Sequence, residues 1–76
     1  MSLPKEIVMD LPVVTLVGRG EITIENYKSL LEFGEAVIRV RTREGDIRIE
    51  GEHLALELIT TETLLVTGRM ACIVYE

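Results

Sequence analysis

Residues 38–50 read IRVRTREGDIRIE, and this stretch decides the fold class. Apolar and charged residues alternate on both sides of Glu44-Gly45, as in two antiparallel strands joined by a two-residue type I′ turn. This turn opposes Arg41 with Arg48 and Val40 with Ile49. One face of the predicted hairpin consists of Ile38, Val40, Thr42, Ile47 and Ile49. The other face carries a candidate docking surface formed by Arg39, Arg41 and Arg48.

A second hairpin is predicted before it, around the loop Gly18-Arg19-Gly20. A three-residue loop opposes Leu16 with Ile22 and Val14 with Ile24, which gives one apolar face. A one-residue slip would turn every side chain to the other face, so this agreement supports the register.

A third hairpin is predicted near the C-terminus, with Gly68-Arg69 as its turn. It opposes Val66 with Ala71 and Leu64 with Ile73. The reverse face is apolar as well, which is typical of a central strand or of a subunit interface. The candidate interface on this reverse face consists of Leu65, Cys72 and Val74.

The whole composition agrees with an all-β protein. Val, Ile and Thr supply 23 of the 76 residues, and β-branched side chains suit a pleated surface better than a helix. Period-two alternation predicts about seven short strands, which lie at residues 14–16, 22–24, 38–42, 47–49, 54–58, 64–66 and 71–75. Residues 27–33 fit a short helix or a strand, and we favour the strand; residues 4–11 fit a helical turn or an extended arm.

These strands predict one domain, residues 1–76, with residues 1–12 as an N-terminal arm. A small two-layer β-sandwich or a flattened barrel would bury one face of each strand and limit the exposed edges. An offset of 32 to 33 residues superposes Leu16 on Ile49 and Gly18 on Gly51, which is compatible with an internal two-fold repeat. Chance self-similarity of regularly spaced strands explains the same match equally well.

Charge and apolar run lengths restrict the function. The net charge is −5, which opposes general binding to a nucleic-acid backbone, although four of the eight basic residues fall between Arg39 and Arg48. No apolar run approaches the roughly 20 residues of a transmembrane helix, and the N-terminus has no signal-peptide pattern. We expect a cytoplasmic protein with no transmembrane segment of its own.

The residues provide no basis for catalysis. His53 follows Gly51-Glu52 at a predicted turn, and no second group is placed to complete a proton relay. One Cys and one His cannot form a metal cluster, and Cys72 is expected to be a small buried hydrophobic residue. Gly18-Arg19-Gly20 lacks the ending of a phosphate-binding loop. We expect no enzyme activity, no cofactor and no metal.

The arginine cluster allows three interpretations. The simplest is an ordinary charged outer face, in which Glu50 and Asp46 neutralise the guanidinium groups. A sharper interpretation is a docking face for an acidic segment of a partner or for anionic lipid headgroups. Single-stranded nucleic acid is a third ligand, but few aromatic residues are present for base stacking.

The order of several short motifs resembles a known family. These motifs are Asp10-Leu11-Pro12, Gly18, Ile24-Glu25-Asn26, Leu31-Glu32-Phe33, the stretch from Ile38 to Thr42, Gly45, Gly51, Glu62, Leu65 and Gly68. In this order and spacing the chain resembles the YabP/YqfC family of sporulation proteins, especially its YqfC branch, from about Leu3 to Tyr75. It departs from the family at Tyr27-Lys28-Ser29.

The resemblance implies a small protein of endospore-forming Firmicutes that is made during sporulation. It also implies an absence of known catalytic residues and a membrane protein encoded nearby as the partner. This chain would then be cytoplasmic and peripheral at the forespore-surrounding membrane. Within the resemblance, Asn26 is expected to take a left-handed conformation and bond its own backbone at the end of a strand. Pro12 is expected to end the N-terminal arm.

Two functional hypotheses follow. The first is a sporulation protein that acts through protein-protein interaction, with a membrane partner or as a homo-oligomer through the C-terminal apolar face. The second is a small β-barrel that binds single-stranded nucleic acid or another anionic ligand. The acidic charge and the scarcity of aromatic residues favour the first.

Overall fold

The computed structural model describes residues 11–76, and the predictions for residues 1–10 lie outside this range. The six strands of the described chain are β1 (Val13–Val17), β2 (Glu21–Glu25), β3 (Tyr27–Phe33), β4 (Val37–Thr42), β5 (Gly45–Ile59) and β6 (Thr63–Tyr75). The prediction of an all-β protein is confirmed, and residues 27–33 form a strand. The strands form one open antiparallel sheet in the order β1-β2-β6-β5-β4-β3.

The first predicted hairpin is confirmed. Leu16 pairs with Ile22 and Val14 with Ile24, around the three-residue loop at residues 18–20. Ile22 and Ile24 are fully buried, whereas Leu16 is 54% exposed because β1 is an edge strand.

The middle hairpin has the predicted faces but a different turn. Thr42 pairs with Gly45, so Arg43 and Glu44 form the turn, and the register differs from the predicted one by two positions. A shift of two residues leaves every side chain on its own face. The predicted apolar face is therefore buried, but Arg39, not Arg41, lies opposite Arg48.

The C-terminal hairpin prediction is wrong. Residues on both sides of Gly68 belong to one strand, β6, and this strand pairs along its length with the equally long β5. The predicted strand at residues 54–58 is likewise the second half of β5. The turn that joins the two long strands lies at residues 60–62, so the described chain has six strands in place of about seven.

Gly68 marks a bend in β6 and not a turn. Its φ is 133°, and a Cβ at this position would lie 2.6 Å from the backbone oxygen of His53. Beside the bend, the N–H of Gly68 donates to the Gly20 carbonyl (3.2 Å) and the N–H of Met70 donates to the Arg19 carbonyl (3.0 Å). The loop between β1 and β2 thus binds the backbone groups that the bend releases from the ladder.

Gly51 marks the corresponding bend in β5. A Cβ here would overlap the backbone oxygen of Arg69. The N–H of Gly51 donates to the Ala36 carbonyl (3.0 Å), and the N–H of Leu54 donates to the Glu35 carbonyl (2.9 Å). Each bend is therefore hydrogen-bonded to the loop of a different hairpin, β6 to the β1–β2 loop and β5 to the β3–β4 loop.

The bends let one continuous sheet enclose one core. Both halves of the sheet contribute to a single buried cluster, whose members are Ile22, Ile24, Ile38, Val40, Ile47, Ile49, Leu54, Leu64, Val66 and Met70. Burying these aliphatic side chains is the main favourable contribution to folding. Among residues 11–76 the strands form neither a second, separate sheet nor a closed barrel.

The core residues recur in pairs along the sequence. The pairs Ile22/Ile38, Ile24/Val40 and Leu54/Met70 are 16 positions apart, and the pairs Ile47/Leu64 and Ile49/Val66 are 17 apart. The two bend glycines, Gly51 and Gly68, are also 17 apart. The predicted repeat offset of 32 to 33 is not confirmed, because it superposes the exposed Leu16 on the buried Ile49.

Asn26 connects the two halves of the sheet. Its φ of 64° confirms the predicted left-handed conformation. The side chain does not bond its own backbone as predicted; its Nδ2 donates to the Leu11 carbonyl at 2.9 Å. Its backbone N–H donates to the Glu62 carbonyl at 2.6 Å, so Asn26 ties the chain before β1 to the β5–β6 turn.

Candidate interaction surfaces

The predicted arginine surface lies on the outer side of the sheet. Arg39 and Arg41 are on β4 and Arg48 is on β5, and all three alternate with buried residues and therefore face away from the core. The grouping of these three side chains on one face is as predicted.

Carboxylates neutralise all three guanidinium groups. Arg48 contacts Glu50 (2.7 Å) and Glu76 (2.6 Å), and Arg41 contacts Asp46 (3.2 Å). Arg39 lies 3.5 Å from both Asp46 and Glu76 and 4.0 Å from Glu32. Four carboxylates thus surround three arginines, so this surface carries no excess positive charge. Each such pair at the surface contributes little to stability, but together they cancel the local field.

The candidate interface residues do not form one surface. Leu65 lies before the bend in β6, where it pairs with Leu58 of β5 and Thr23 of β2. Cys72 and Val74 lie after the bend and pair with Glu50 and Arg48. The predicted hairpin had a turn at Gly68, but the structure has a bend there. This bend separates Leu65 from the other two residues.

Cys72 is exposed, whereas burial was expected. It lies on the outer face with Glu50, and its Sγ is 3.7 Å from Glu50 Oε1. Cys72 also lines an open groove of about 220 Å³ beside Leu16 and Ile73, between β1 and the end of β6. The sequence of residues 70–75 is apolar on both faces of the strand, which suggested that Cys72 is buried. It did not show that one of these faces lies at the rim of the sheet, where Cys72 is exposed.

An apolar pair on the outer face was missed by the sequence analysis. Leu58 pairs directly with Leu65; Leu58 is 47% exposed and Leu65 is half-buried. The neighbouring charged residues on this half of the outer face are acidic: Glu21 and Glu25 on β2, and Glu57 on β5. The prediction of separate strands at residues 47–49 and 54–58 concealed this surface, because it gave no partner for Leu58.

His53, the one histidine of the sequence, lies at the surface of the molecule. His53 lies in the bend of β5 with φ 54°, in a strand and not in the predicted turn. Its Nδ1 is 4.0 Å from Glu35 Oε1, and both side chains are fully solvated. Within residues 11–76 no three His, Cys, Asp or Glu side chains are grouped closely enough to hold a metal ion.

A second groove, of about 460 Å³, lies where the two bends meet. Two cations, Arg19 and Arg69, and two carboxylates, Glu50 and Glu52, line it. Over the described range there is also no helix that is long and apolar enough to cross a membrane.

The chain is similar to known proteins over nearly its whole length. Residues 10–76 match the YabP family. The chain is 35% identical to the uncharacterized protein YqfC of Bacillus subtilis (strain 168) over 75 residues, which is 99% of this chain and 81% of YqfC. The resemblance seen in the sequence motifs is thereby confirmed, and the chain belongs to the YabP family.

Proposed function

We propose that this chain is a non-catalytic sporulation protein that acts in the cytoplasm by binding a membrane protein encoded nearby, at the forespore-surrounding membrane. Membership of the YabP family supports the sporulation role, given what the resemblance to that family implies.

The observation that carries the proposal is the exposed Leu58–Leu65 pair on an acidic face. An apolar pair bordered by charges of one sign is typical of a docking surface. Glu21, Glu25 and Glu57 would attract a positively charged segment. Cytoplasmic segments of membrane proteins are enriched in Lys and Arg close to the membrane, so their chemistry complements this face.

The arginine surface is a weaker docking candidate. Its guanidinium groups already have carboxylate partners, and a lipid headgroup or an acidic peptide would have to displace Glu76 or Asp46. Cys72 and Val74 lie beside these ion pairs. We therefore assign partner binding to Leu65 and Leu58, and not to Cys72, Val74 or the arginines.

The test is capture of the membrane partner from sporulating cells by the tagged chain after crosslinking. The variant Leu58→Lys keeps the core intact, because Leu58 is exposed, but it places a positive charge on the docking surface. The matched control is Leu31→Lys, an exposed leucine on β3. We expect Leu58→Lys to lose the nearby-encoded membrane protein and to lower the count of heat-resistant spores, and Leu31→Lys to do neither. Equal capture by both variants would contradict the proposal.

A further inference from the structure

The two edges of the sheet differ in how they are protected. β1 (Val13–Val17) and β3 (Tyr27–Phe33) are its outermost strands; within residues 11–76 the second halves of β5 and β6 also lack a partner on one side. An edge strand presents unpaired N–H and C=O groups, and proteins usually block them with bulges, charged residues or a short strand. An edge strand without such protection is a template for pairing with another strand.

β3 has these protective features. Its pairing with β4 is interrupted between Tyr27 and Ser29 and again between Leu30 and Glu32. Lys28 falls within the first of these irregularities, and β3 also carries Glu32. The edge of β3 is therefore both irregular and charged.

β1 is short but has neither a bulge nor a charge. Its five residues, VVTLV, pair with β2 without a bulge and contain no charged residue. Four of them are β-branched, which favours an extended conformation. Leu16 is 54% exposed and Val17 59% exposed on this strand. Within residues 11–76, β1 is thus a regular and apolar edge with no strand paired on its outer side.

We propose that β1 pairs antiparallel with β1 of a second copy of this chain, with Thr15 on the two-fold axis. In this register Val13 lies opposite Val17 of the second copy, Val14 opposite Leu16, and Thr15 opposite Thr15. Each pairing joins residues that project to the same side of the sheet, and Thr–Thr and aliphatic pairs are favourable across strands. The two sheets become one continuous sheet.

A second copy fits this edge better than a strand of another kind. The sequence of β1 is self-complementary about Thr15: both partners of each pair are small and uncharged, so no like charges meet. Val14 and Leu16 lie on the core side, so pairing extends the apolar surface across the axis. Pro12, which has no N–H, precedes the strand and Gly18, with φ 56°, follows it, so the ladder is confined to five residues. A ladder this short gives a weak dimer that depends on concentration.

The first test is site-specific disulfide formation in a Cys72→Ser background. In the proposed register Thr15→Cys places two Cβ atoms about 4.5–5.5 Å apart, close to disulfide geometry. Thr23→Cys is the matched control, because Thr23 pairs with Thr15 on the same face one strand further in. We expect a covalent dimer from Thr15→Cys and none from Thr23→Cys. Equal crosslinking of both would overturn the register.

The second test introduces charged residues at position 15, on the proposed two-fold axis. Association is measured by sedimentation velocity at protein concentrations from micromolar to near-millimolar. Thr15→Lys and Thr15→Glu each place two like charges in contact and should each sediment as a folded monomer, because Thr15 is exposed. Their mixture should restore the dimer. Ser29→Lys, an exposed residue on the other edge strand, should dimerise like the wild type.

Three outcomes would overturn the proposal. The wild type could remain a monomer at near-millimolar concentration. Thr15→Lys alone could dimerise as strongly as the wild type, which would place the contact on another surface. The mixture could stay monomeric, which would exclude direct opposition of the two Thr15 residues. None of these results bears on capture of the membrane partner, since Leu58 lies on another strand.

Discussion

Gly51 and Gly68 each lie against the backbone of the other's strand. A Cβ on Gly68 would come within 2.6 Å of the His53 oxygen on β5, and a Cβ on Gly51 would overlap the Arg69 oxygen on β6. The two long strands bend where these glycines allow their backbones to approach. The shape of the sheet therefore depends on two missing side chains.

Alanine at either bend should destabilise the fold strongly. We expect Gly51→Ala and Gly68→Ala each to lower the free energy of unfolding by about 2–4 kcal/mol, because a backbone must move to admit the Cβ. Urea unfolding followed by circular dichroism measures this. Gly20→Ala is the control: its Cβ would lie 3.8 Å from the nearest atom, so its cost should stay below about 1 kcal/mol. Similar losses at all three positions would show that the bends have no special role.

Gly45 should tolerate no side chain at all. Gly45 lies in β5 beside the turn, and its φ is 111°. A Cβ at this position would be 2.6 Å from the Glu76 backbone oxygen. Asn usually tolerates positive φ better than Val does. Here the Cβ contact is the same for both, so Gly45→Asn and Gly45→Val should each cost more than about 1 kcal/mol in thermal or urea unfolding. A Gly45→Asn protein as stable as the wild type would show that backbone conformation alone matters at this position.

The stability of the protein should depend on the sign of a charge introduced at position 74. Val74 pairs with Arg48 on the outer face. Val74→Lys places a like charge opposite Arg48 and should lower stability by about 1 kcal/mol, whereas Val74→Glu should be less costly because it pairs with Arg48. Unfolding curves at low and high salt distinguish the two, since salt screens this difference. Neither variant should change the oligomeric state if the copies meet through β1.

The neutralised arginine surface should not retain the protein on heparin. At low salt we expect the wild type to elute in the void volume, because the carboxylates around Arg39, Arg41 and Arg48 cancel their charge. The double variant Glu50→Gln, Glu76→Gln removes two of them and should bind heparin and elute as salt rises. Retention of the wild type, with release steep in salt, would support the nucleic-acid hypothesis instead.

Local pattern was sufficient to predict much of the fold. The loop at residues 18–20 and its register follow from alternation alone, and a two-residue error at Gly45 left every face of the middle hairpin correct. The errors in strand number and in the C-terminal hairpin have one cause: Gly51 and Gly68 were interpreted as ends of strands. A glycine that permits close backbone approach inside a strand has the same local sequence signature as one in a turn.

The interaction surfaces were less predictable, because they depend on contacts between distant residues. Arg48 and Glu76 are 28 positions apart, and Leu58 meets Leu65 only because β5 continues beyond its bend. Asp46 and Glu50, both near in sequence, were identified as neutralising partners. The exposure of Cys72 depends on the position of the sheet rim, which strand alternation does not encode.

The strand order also determines when the protein can fold during synthesis. β3, β4 and the first half of β5 are consecutive in the chain and can associate as they leave the ribosome, whereas β2 has only β1 beside it until β6 arrives. Ile22 and Ile24 are made early, yet their partners Val66 and Leu64 lie about 40 positions later in the chain. The nascent chain thus carries an exposed aliphatic hairpin until β6 has been made, and β6 then closes both halves of the core at once.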